Sequence, residues 1–268
     1  MRRCCVELAV GSWIAIALSC GAGGSSPALT DVRTVPVKGR FLVTPRWSPT
    51  GDRLLLSGWH GIGLHALDLG TGDLQDLDAQ HRGAARWDTA GQVVPDNPPA
   101  ESGELVLHDR DGLRILYRPY DGAIEALALG KRALLFDGGA WGPRVSPAGE
   151  YVAFCTGHLA FGRLRIVDVS GAPLFEGAGV QPAWLPDRAG LVYAVPQPAV
   201  SPAGATELNA SELYAIGAPS WTPVRLTDTP DVVEMEPAIS PQGDRIAFSD
   251  WKTGRLLLAR FAETGGAR

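Results

Sequence analysis

Residues 47–52 read Trp-Ser-Pro-Thr-Gly-Asp, and the phrase returns as Val-Ser-Pro-Ala-Gly-Glu at 145–150 and as Ile-Ser-Pro-Gln-Gly-Asp at 239–244. Serine at the first turn position, proline at the second and glycine at the fourth are the residues that a type I turn favours. An apolar residue precedes each turn, and a short apolar stretch such as Tyr151–Cys155 follows it. One turn recurring in this setting predicts a repeat protein.

Two looser copies of the phrase lie in the gaps, at Trp87–Gly91 and Trp184–Gly190. We call the apolar residue before each turn the anchor residue. The anchors lie at positions 47, 87, 145, 184 and 239, so the intervals between them are 40, 58, 39 and 55 residues. The shorter intervals match one propeller blade of about 40–45 residues. The longer intervals indicate insertions, one of them the Pro- and Ala-rich stretch Pro196–Ala210.

Each turn is followed by two or three further strand patterns, and no such sheet can cover both of its faces alone. The sequence therefore predicts an all-β protein, a β-propeller of four-stranded blades that close into a ring. The strand patterns of the last unit end after Phe261, so this unit has only three strands. The segment Val32–Val37 can supply the fourth. We expect five blades, or six if the interval 87–145 contains a reduced blade around Ala133–Phe136.

The composition fits a folded domain. The 268 residues are 45% hydrophobic and 20% charged, and 33 glycines and 21 prolines supply many turns. The net charge of −5, without a basic block, argues against a nucleic-acid partner. The propeller is expected over 31–262, as a monomer, followed by a disordered tail at 263–268.

The first residues have the pattern of a secretory signal. Arg2 and Arg3 precede the apolar run Leu8–Ser19, which is too short to cross a bilayer comfortably. We predict a signal peptide at 1–19 and a flexible tether at 20–30, with a buried N-terminal helix as the alternative. The protein would then cross the inner membrane and reside in the periplasm.

Cys20 closes this leader in the sequence Ala17-Leu18-Ser19-Cys20-Gly21. The segment resembles a bacterial lipobox, and the resemblance implies lipidation of Cys20 and attachment to the outer membrane. Ordinary cleavage near Ala22, which would leave a soluble protein, is the alternative. Outside the leader the only cysteine is Cys155, which we expect to pack as a small hydrophobic residue.

The repeat resembles that of the TolB-type β-propeller family, which reads roughly "LT … P-x-W-S-P-D-G … IAF". The best match is Leu226-Thr227-Asp228 followed by residues 237–248 (PAISPQGDRIAF), and Pro45–Pro49 is nearly as close. The aspartate usual in the turn is replaced in the three best copies, and the chain lacks the N-terminal α/β domain of TolB itself. The resemblance implies a propeller of the TolB type, distinct from TolB.

Candidate functional residues are few. No nucleophile elbow, phosphate-binding loop or zinc-protease motif occurs, and the five histidines are scattered, so we expect no catalytic residue, metal or cofactor. Trp59 and Trp251 occupy equivalent places just after the first long strand of a unit. Exposed tryptophans on one propeller face would mark a partner-binding site.

The sequence therefore predicts a non-enzymatic envelope protein that docks a protein or a glycan on a propeller face. An alternative is a glycan hydrolase or lyase in which a pair of carboxylates at the channel mouth act as acid and base. A third hypothesis is a purely structural role in envelope assembly.

Overall fold

The computed structural model describes residues 26–37, 40–83, 85–96, 103–201 and 204–264. The predicted signal peptide at 1–19 and Cys20 lie outside these residues. Within them, five four-stranded antiparallel sheets form the blades of a β-propeller, and a two-stranded sheet accompanies them. The expected fold class and the count of five blades are confirmed.

The blades follow one another along the chain, each as an antiparallel meander. Blade 1 consists of β2–β5, at Leu42–Trp47, Arg53–Gly58, Ile62–Asp68 and Leu74–Arg82. The two-stranded sheet consists of β6 and β7, at Ala85–Trp87 and Val93–Pro95. Blade 2 consists of β8–β11, at Leu105–Arg110, Leu113–Arg118, Ala123–Ala128 and Lys131–Phe136. Blade 3 consists of β12–β15, at Trp141–Val145, Tyr151–Thr156, Arg163–Asp168 and Pro173–Ala178. Blade 4 consists of β16–β19, at Val180–Trp184, Gly190–Val200, Thr206–Gly217 and Val224–Arg225.

Blade 5 closes the ring by combining both ends of the propeller. Its sheet order is β1-β22-β21-β20, with the strands at Ser26–Val35, Arg255–Thr264, Arg245–Asp250 and Glu234–Ile239. Strand β1 pairs with β22 in the register Thr30↔Arg260 and Val35↔Leu256. An N-terminal strand thus supplies the missing fourth strand, as predicted. It begins at Ser26, so it includes part of the segment expected to be a tether.

The recurrent phrase forms the predicted turn. In all three copies the glycine N–H donates to the serine carbonyl three residues earlier, at 2.9 Å, as in Gly51 to Ser48. The serine hydroxyl also accepts from the first residue of the next strand, at 3.0 Å for Arg53. The glycine has φ near +75°, a conformation that costs a residue with a Cβ about 1–2 kcal/mol. The glycine of the phrase is therefore fixed by backbone geometry.

The second unit differs from the expectation. The phrase at Trp87–Gly91 joins β6 to β7, and these two strands form a sheet of their own. The strands predicted to follow it form blade 2, which contains no copy of the phrase, and Ala133–Phe136 lies in its outer strand. The degenerate phrase has no proline, and only two strands accompany it.

The predicted insertion in the fourth unit extends two strands. Strands β17 and β18 continue into Pro196–Ala210 and are paired from Gly190↔Gly217 to Val200↔Thr206. The two strands form a long hairpin. A register shift between Gln197 and Pro198 accommodates the prolines, which have no N–H and cannot donate a hydrogen bond to the neighbouring strand.

The core lies between blades. One buried cluster joins Cys155, Val192 and Phe248 from blades 3, 4 and 5, all fully buried. Burial of Cys155 raises the pKa of its thiol to about 12, so it packs as an apolar residue. Because each sheet covers its neighbour, stability depends on the complete ring.

The anchor tryptophans connect neighbouring units of the propeller. The Trp47 indole N–H donates to the Ala238 carbonyl at 2.9 Å, and Trp184 donates to the Arg144 carbonyl at 3.0 Å. Trp87 makes the same bond to Arg46 at 3.2 Å. Each acceptor is the residue just before the anchor of the adjacent unit. The same bond therefore joins adjacent units at three of the five anchors.

In the described part of the chain, the only helices are two three-residue 3₁₀ turns, and none is long and apolar enough to cross a membrane.

Candidate functional site

The innermost strands of four blades surround the channel and share one backbone irregularity. Thr44, Gly142, Gln181 and Glu236 each lie three residues before an anchor, directly before a proline, and each has φ between +54° and +59°. The strand register shifts at each of these places. Positive φ is rare for a residue with a Cβ and recurs at functional sites. The bulges line the channel with a ring of polar groups.

These groups bond to one another across the blades. The Glu236 carboxylate accepts the Thr44 N–H at 2.6 Å and the Thr44 hydroxyl at 2.9 Å. The Glu236 N–H in turn donates to the Gln181 side-chain oxygen at 2.9 Å. Because Thr44 lies in blade 1 and Gln181 in blade 4, Glu236 ties three blades together at the channel.

A cavity of about 170 Å³ lies among these bulges. Besides the ring residues and their prolines, it is lined by Arg46, Trp141 and Arg144. The side chain of Asp96 lies beside it, 3.7 Å from Arg46. Burial and the neighbouring Arg46 charge lower the pKa of Arg144 to about 10, so the guanidinium remains cationic at neutral pH.

An aromatic patch, consisting of Phe41, Trp59, His60 and Trp251, lies on what we call the loop face, the propeller face that carries the loops after each second strand. The ring centroids of Trp59 lie 4.4 Å from Phe41, 4.9 Å from His60 and 5.7 Å from Trp251. Trp59 remains 40% exposed. Closure of the ring places blades 1 and 5 side by side, so the structure brings Trp59 and Trp251 together.

The aromatic patch borders the channel. The Trp251 indole N–H donates to the Glu236 carboxylate at 3.2 Å, so one residue belongs to both features. Phe41 packs against Gly254, whose position would put a Cβ 2.4 Å from the phenyl ring. The patch therefore depends on a glycine in the loop of blade 5.

The pair of carboxylates that the hydrolase alternative requires does not occur among the described residues that line the cavity. Among the described residues that line it, Glu236 is the only carboxylate. Glu234 is buried on the same strand as Glu236. Burial raises its pKa to about 7, although the hydrogen bonds from Thr227 and Thr229 act to lower it. Its neighbour Glu212 accepts from Arg225 at 2.8 Å. These groups tie the Leu226–Asp228 segment to blade 5.

No group of three or more metal-ligating side chains occurs within the described ranges, 26–264 with its gaps. His65 is buried and lies 2.8 Å from Asp76, which also pairs with Arg40. The Arg40 and His65 hydrogen bonds lower the pKa of Asp76. This cluster joins β4 to β5 and to the start of blade 1.

Comparison with solved structures supports a fold assignment. A TolB protein from Agrobacterium tumefaciens matches with a TM-score of 0.55 and 16% identity, covering 90% of this chain and 99% of that one. The fold is a β-propeller. A gluconolactonase from Xanthomonas campestris matches the chain with a TM-score of 0.58 and 12% identity, covering 90% and 98% of the two chains. The WD40 repeats of RRP9 match with a TM-score of 0.57 and 8% identity, covering 89% and 100%.

No protein-family model and no curated protein matches the sequence of this propeller.

Sequence reasoning singled out the two tryptophans of the aromatic patch but did not identify the two arginines that line the channel cavity. Trp59 and Trp251 were singled out by their equivalent positions, and the structure adds Phe41 and His60. Arg46 and Arg144 were not predicted, although each directly precedes an anchor of the repeat. That shared repeat position is the signal that could have identified them.

Proposed function

We propose that this protein is a non-enzymatic binding protein of the cell envelope, which docks a protein partner on the loop face of its propeller. The aromatic patch carries this proposal, because Trp59 is 40% exposed and Trp251 and Phe41 support it from two sides. Tryptophan is enriched among the residues that dominate binding energy at protein interfaces. The supporting rings reduce the conformational freedom that binding would otherwise remove.

A protein fits this surface better than a glycan. Sugar hydroxyls require free polar groups beside the aromatic rings. Here the Trp251 N–H already donates to Glu236, and Glu236 already accepts from Thr44. Ile62, next in the chain to the 3₁₀ turn, adds a side chain that is 42% exposed. The patch thus offers mainly apolar area, as the centre of a protein interface does.

The proposed location in the cell envelope is based on the pattern of residues 1–20. A positive start, a short apolar run and a lipobox-like end at Cys20 support export and lipid attachment, in the periplasm or on the outer membrane. A lipid-attached monomer would present its loop face to partners in the same compartment. The net charge of −5 supports a partner other than nucleic acid.

The hydrolase alternative has weaker geometric support. The Xanthomonas gluconolactonase shares the fold, but 12% identity carries no activity to this chain. A two-carboxylate mechanism requires a pair about 5–10 Å apart at the reaction site. The cavity presents Glu236 alone among its described lining residues, and three protein donors already bond to it. Binding is therefore the function that the geometry supports best.

Replacing either patch tryptophan with alanine should weaken partner binding by about thirtyfold or more, because such residues contribute about 2 kcal/mol or more at an interface centre. The partner is first captured from envelope extracts on the wild-type protein and identified. Its dissociation constant is then measured against the wild type, Trp59→Ala and Trp251→Ala.

Leu129→Ala provides the control. Leu129 is an apolar residue, 95% exposed, in the turn between the third and fourth strands of blade 2, on the face opposite the loop face. Its removal should leave the dissociation constant unchanged. Equal binding by wild type and both tryptophan variants would contradict the proposal, and so would capture that depends on glycan and is abolished by glycan digestion.

A further inference from the structure

The channel contains more positive charge than its neighbouring carboxylates balance. Arg46, Arg86 and Arg144 each directly precede an anchor residue, so they occupy one repeat position in three units. The equivalent residues in blades 4 and 5 are Ala183 and Ala238. The arginines are thus grouped on one side of the ring.

One carboxylate, that of Asp96, forms ion pairs with two of these arginines. Its oxygens lie 3.7 Å from Arg46 and 3.9 Å from Arg86, which are ion-pair distances beyond normal hydrogen-bond length. Among the described residues Arg144 has no ion pair. Among those residues its guanidinium donates only to the carbonyl of the preceding residue, Pro143, at 3.3 Å. Most of its five N–H donors therefore have no partner in the described part of the chain.

Glu236 does not neutralise this charge by direct contact. Both of its carboxylate oxygens are engaged by Thr44 and Trp251 at the ring of bulges. Arg144 and Arg46 line the same cavity, yet neither pairs with Glu236 at ion-pair distance. Arg144 therefore lines the cavity without an ion pair to a described residue, and Arg46 is balanced only by Asp96, which it shares with Arg86.

The cavity suits a small ligand. Its volume of about 170 Å³ is below the range of about 300–1,000 Å³ found for drug-sized molecules. Guanidinium groups bind carboxylate and phosphate oxygens through paired hydrogen bonds. The Gln181 amide and the Trp141 ring add one polar and one apolar wall.

We propose that the channel cavity binds a small oxyanion, through a carboxylate or phosphate group held by Arg144 and Arg46. The ligand would occupy the space that the described side chains leave between these two arginines. This site is separate from docking on the aromatic patch, and it does not require the partner proposed above.

The test is a calorimetric titration of the purified protein with inorganic phosphate and, separately, with lactate as a small carboxylate. Sodium chloride at matched ionic strength controls for general screening. At least one probe should bind saturably at one site. Binding should weaken by about tenfold or more in Arg144→Gln and in Arg46→Gln, since a hydrogen bond to a charged group is lost.

Arg260→Gln is the matched control, because this arginine is 71% exposed and pairs with Asp31 on the outer strands. It should bind as the wild type does. Preference for phosphate or for lactate assigns the ligand class and supports the proposal. Absence of saturable binding by both probes overturns it, as does equal binding by wild type, Arg144→Gln and Arg46→Gln.

A thermal scan provides a second readout. Without an anion, Arg144→Gln should fold with a melting temperature equal to or above that of the wild type, because repulsion between Arg144 and Arg46 is removed. The bound probe should raise the melting temperature of the wild type more than that of Arg144→Gln. A lower melting temperature of Arg144→Gln in the absence of an anion, with no wild-type shift on adding the probes, would contradict the site.

Discussion

Replacing Trp184 with alanine should lower the free energy of unfolding by about 3 kcal/mol, near the lower end of values for large aromatic residues. The indole donates to the Arg144 carbonyl at 3.0 Å and thereby connects blade 4 to blade 3. Its ring also packs on Tyr151 and Trp221, at centroid distances of 6.3 Å and 6.5 Å. The variant therefore loses one bond and two aromatic contacts. Urea denaturation followed by circular dichroism measures the change.

Trp184→Phe separates these two contributions. The phenyl ring retains part of the packing but cannot donate to Arg144, so we expect a loss of about 1–2 kcal/mol. If Trp184→Ala proved as stable as the wild type, the anchor tryptophan would not connect blades. If Trp184→Phe lost as much as Trp184→Ala, the hydrogen bond alone would account for the effect.

Gly254→Ala is expected to destabilise the protein by about 3 kcal/mol, through two separate effects. Gly254 has φ +70°, which an L-residue adopts at a cost of about 1–2 kcal/mol. A Cβ there would also lie 2.4 Å from Phe41, and overpacking of this kind costs about 1–3 kcal/mol. Because Phe41 must move, the emission of the neighbouring Trp59 should change as well. Chemical denaturation and fluorescence spectra measure both effects.

Gly72→Ala is the control for this variant. Gly72 has φ +78°, but no atom lies within 4 Å of a Cβ built there. It should lose only the backbone contribution, about 1–2 kcal/mol, and leave the Trp59 emission unchanged. Equal destabilisation by the two variants would show that Phe41 does not pack on Gly254 as described.

The repeat phrase was sufficient to predict the fold because its residues have local physical roles. Pro49 and Gly51 determine the turn, and Ser48 bonds to the next strand within the same phrase. Such contacts involve few residues, so the sequence displays them directly. The anchor tryptophans were predictable for a related reason, since each repeats at one position and contacts its neighbour through a backbone carbonyl.

Other features depend on contacts between distant residues and could not be predicted. Thr44 and Glu236 meet only after the ring closes, and the positive φ at both positions does not follow from residue type. The two-stranded sheet at Ala85–Pro95 depends on which strands pair, a choice that the degenerate phrase does not specify. The candidate site was predictable in its tryptophans, whose equivalent positions are visible in the repeat. Its arginines were missed because charged residues are commonly assigned to the solvated surface.

Ring closure by the N-terminal strand is the central claim, because it places blade 5 beside blade 1 and so joins Trp59 to Trp251. Thr30 and Arg260 are direct partners in the β1–β22 ladder, and both are exposed. A Thr30→Cys/Arg260→Cys variant should therefore form a disulfide in the folded protein, since paired strands bring Cα atoms within the range of about 4.4–6.8 Å. Thr30→Cys/Arg255→Cys should not, because five residues along β22 add about 16 Å. Peptide mapping after mild oxidation that finds the 30–260 disulfide confirms closure, whereas two free thiols, or equal cross-linking of the control pair, would contradict it.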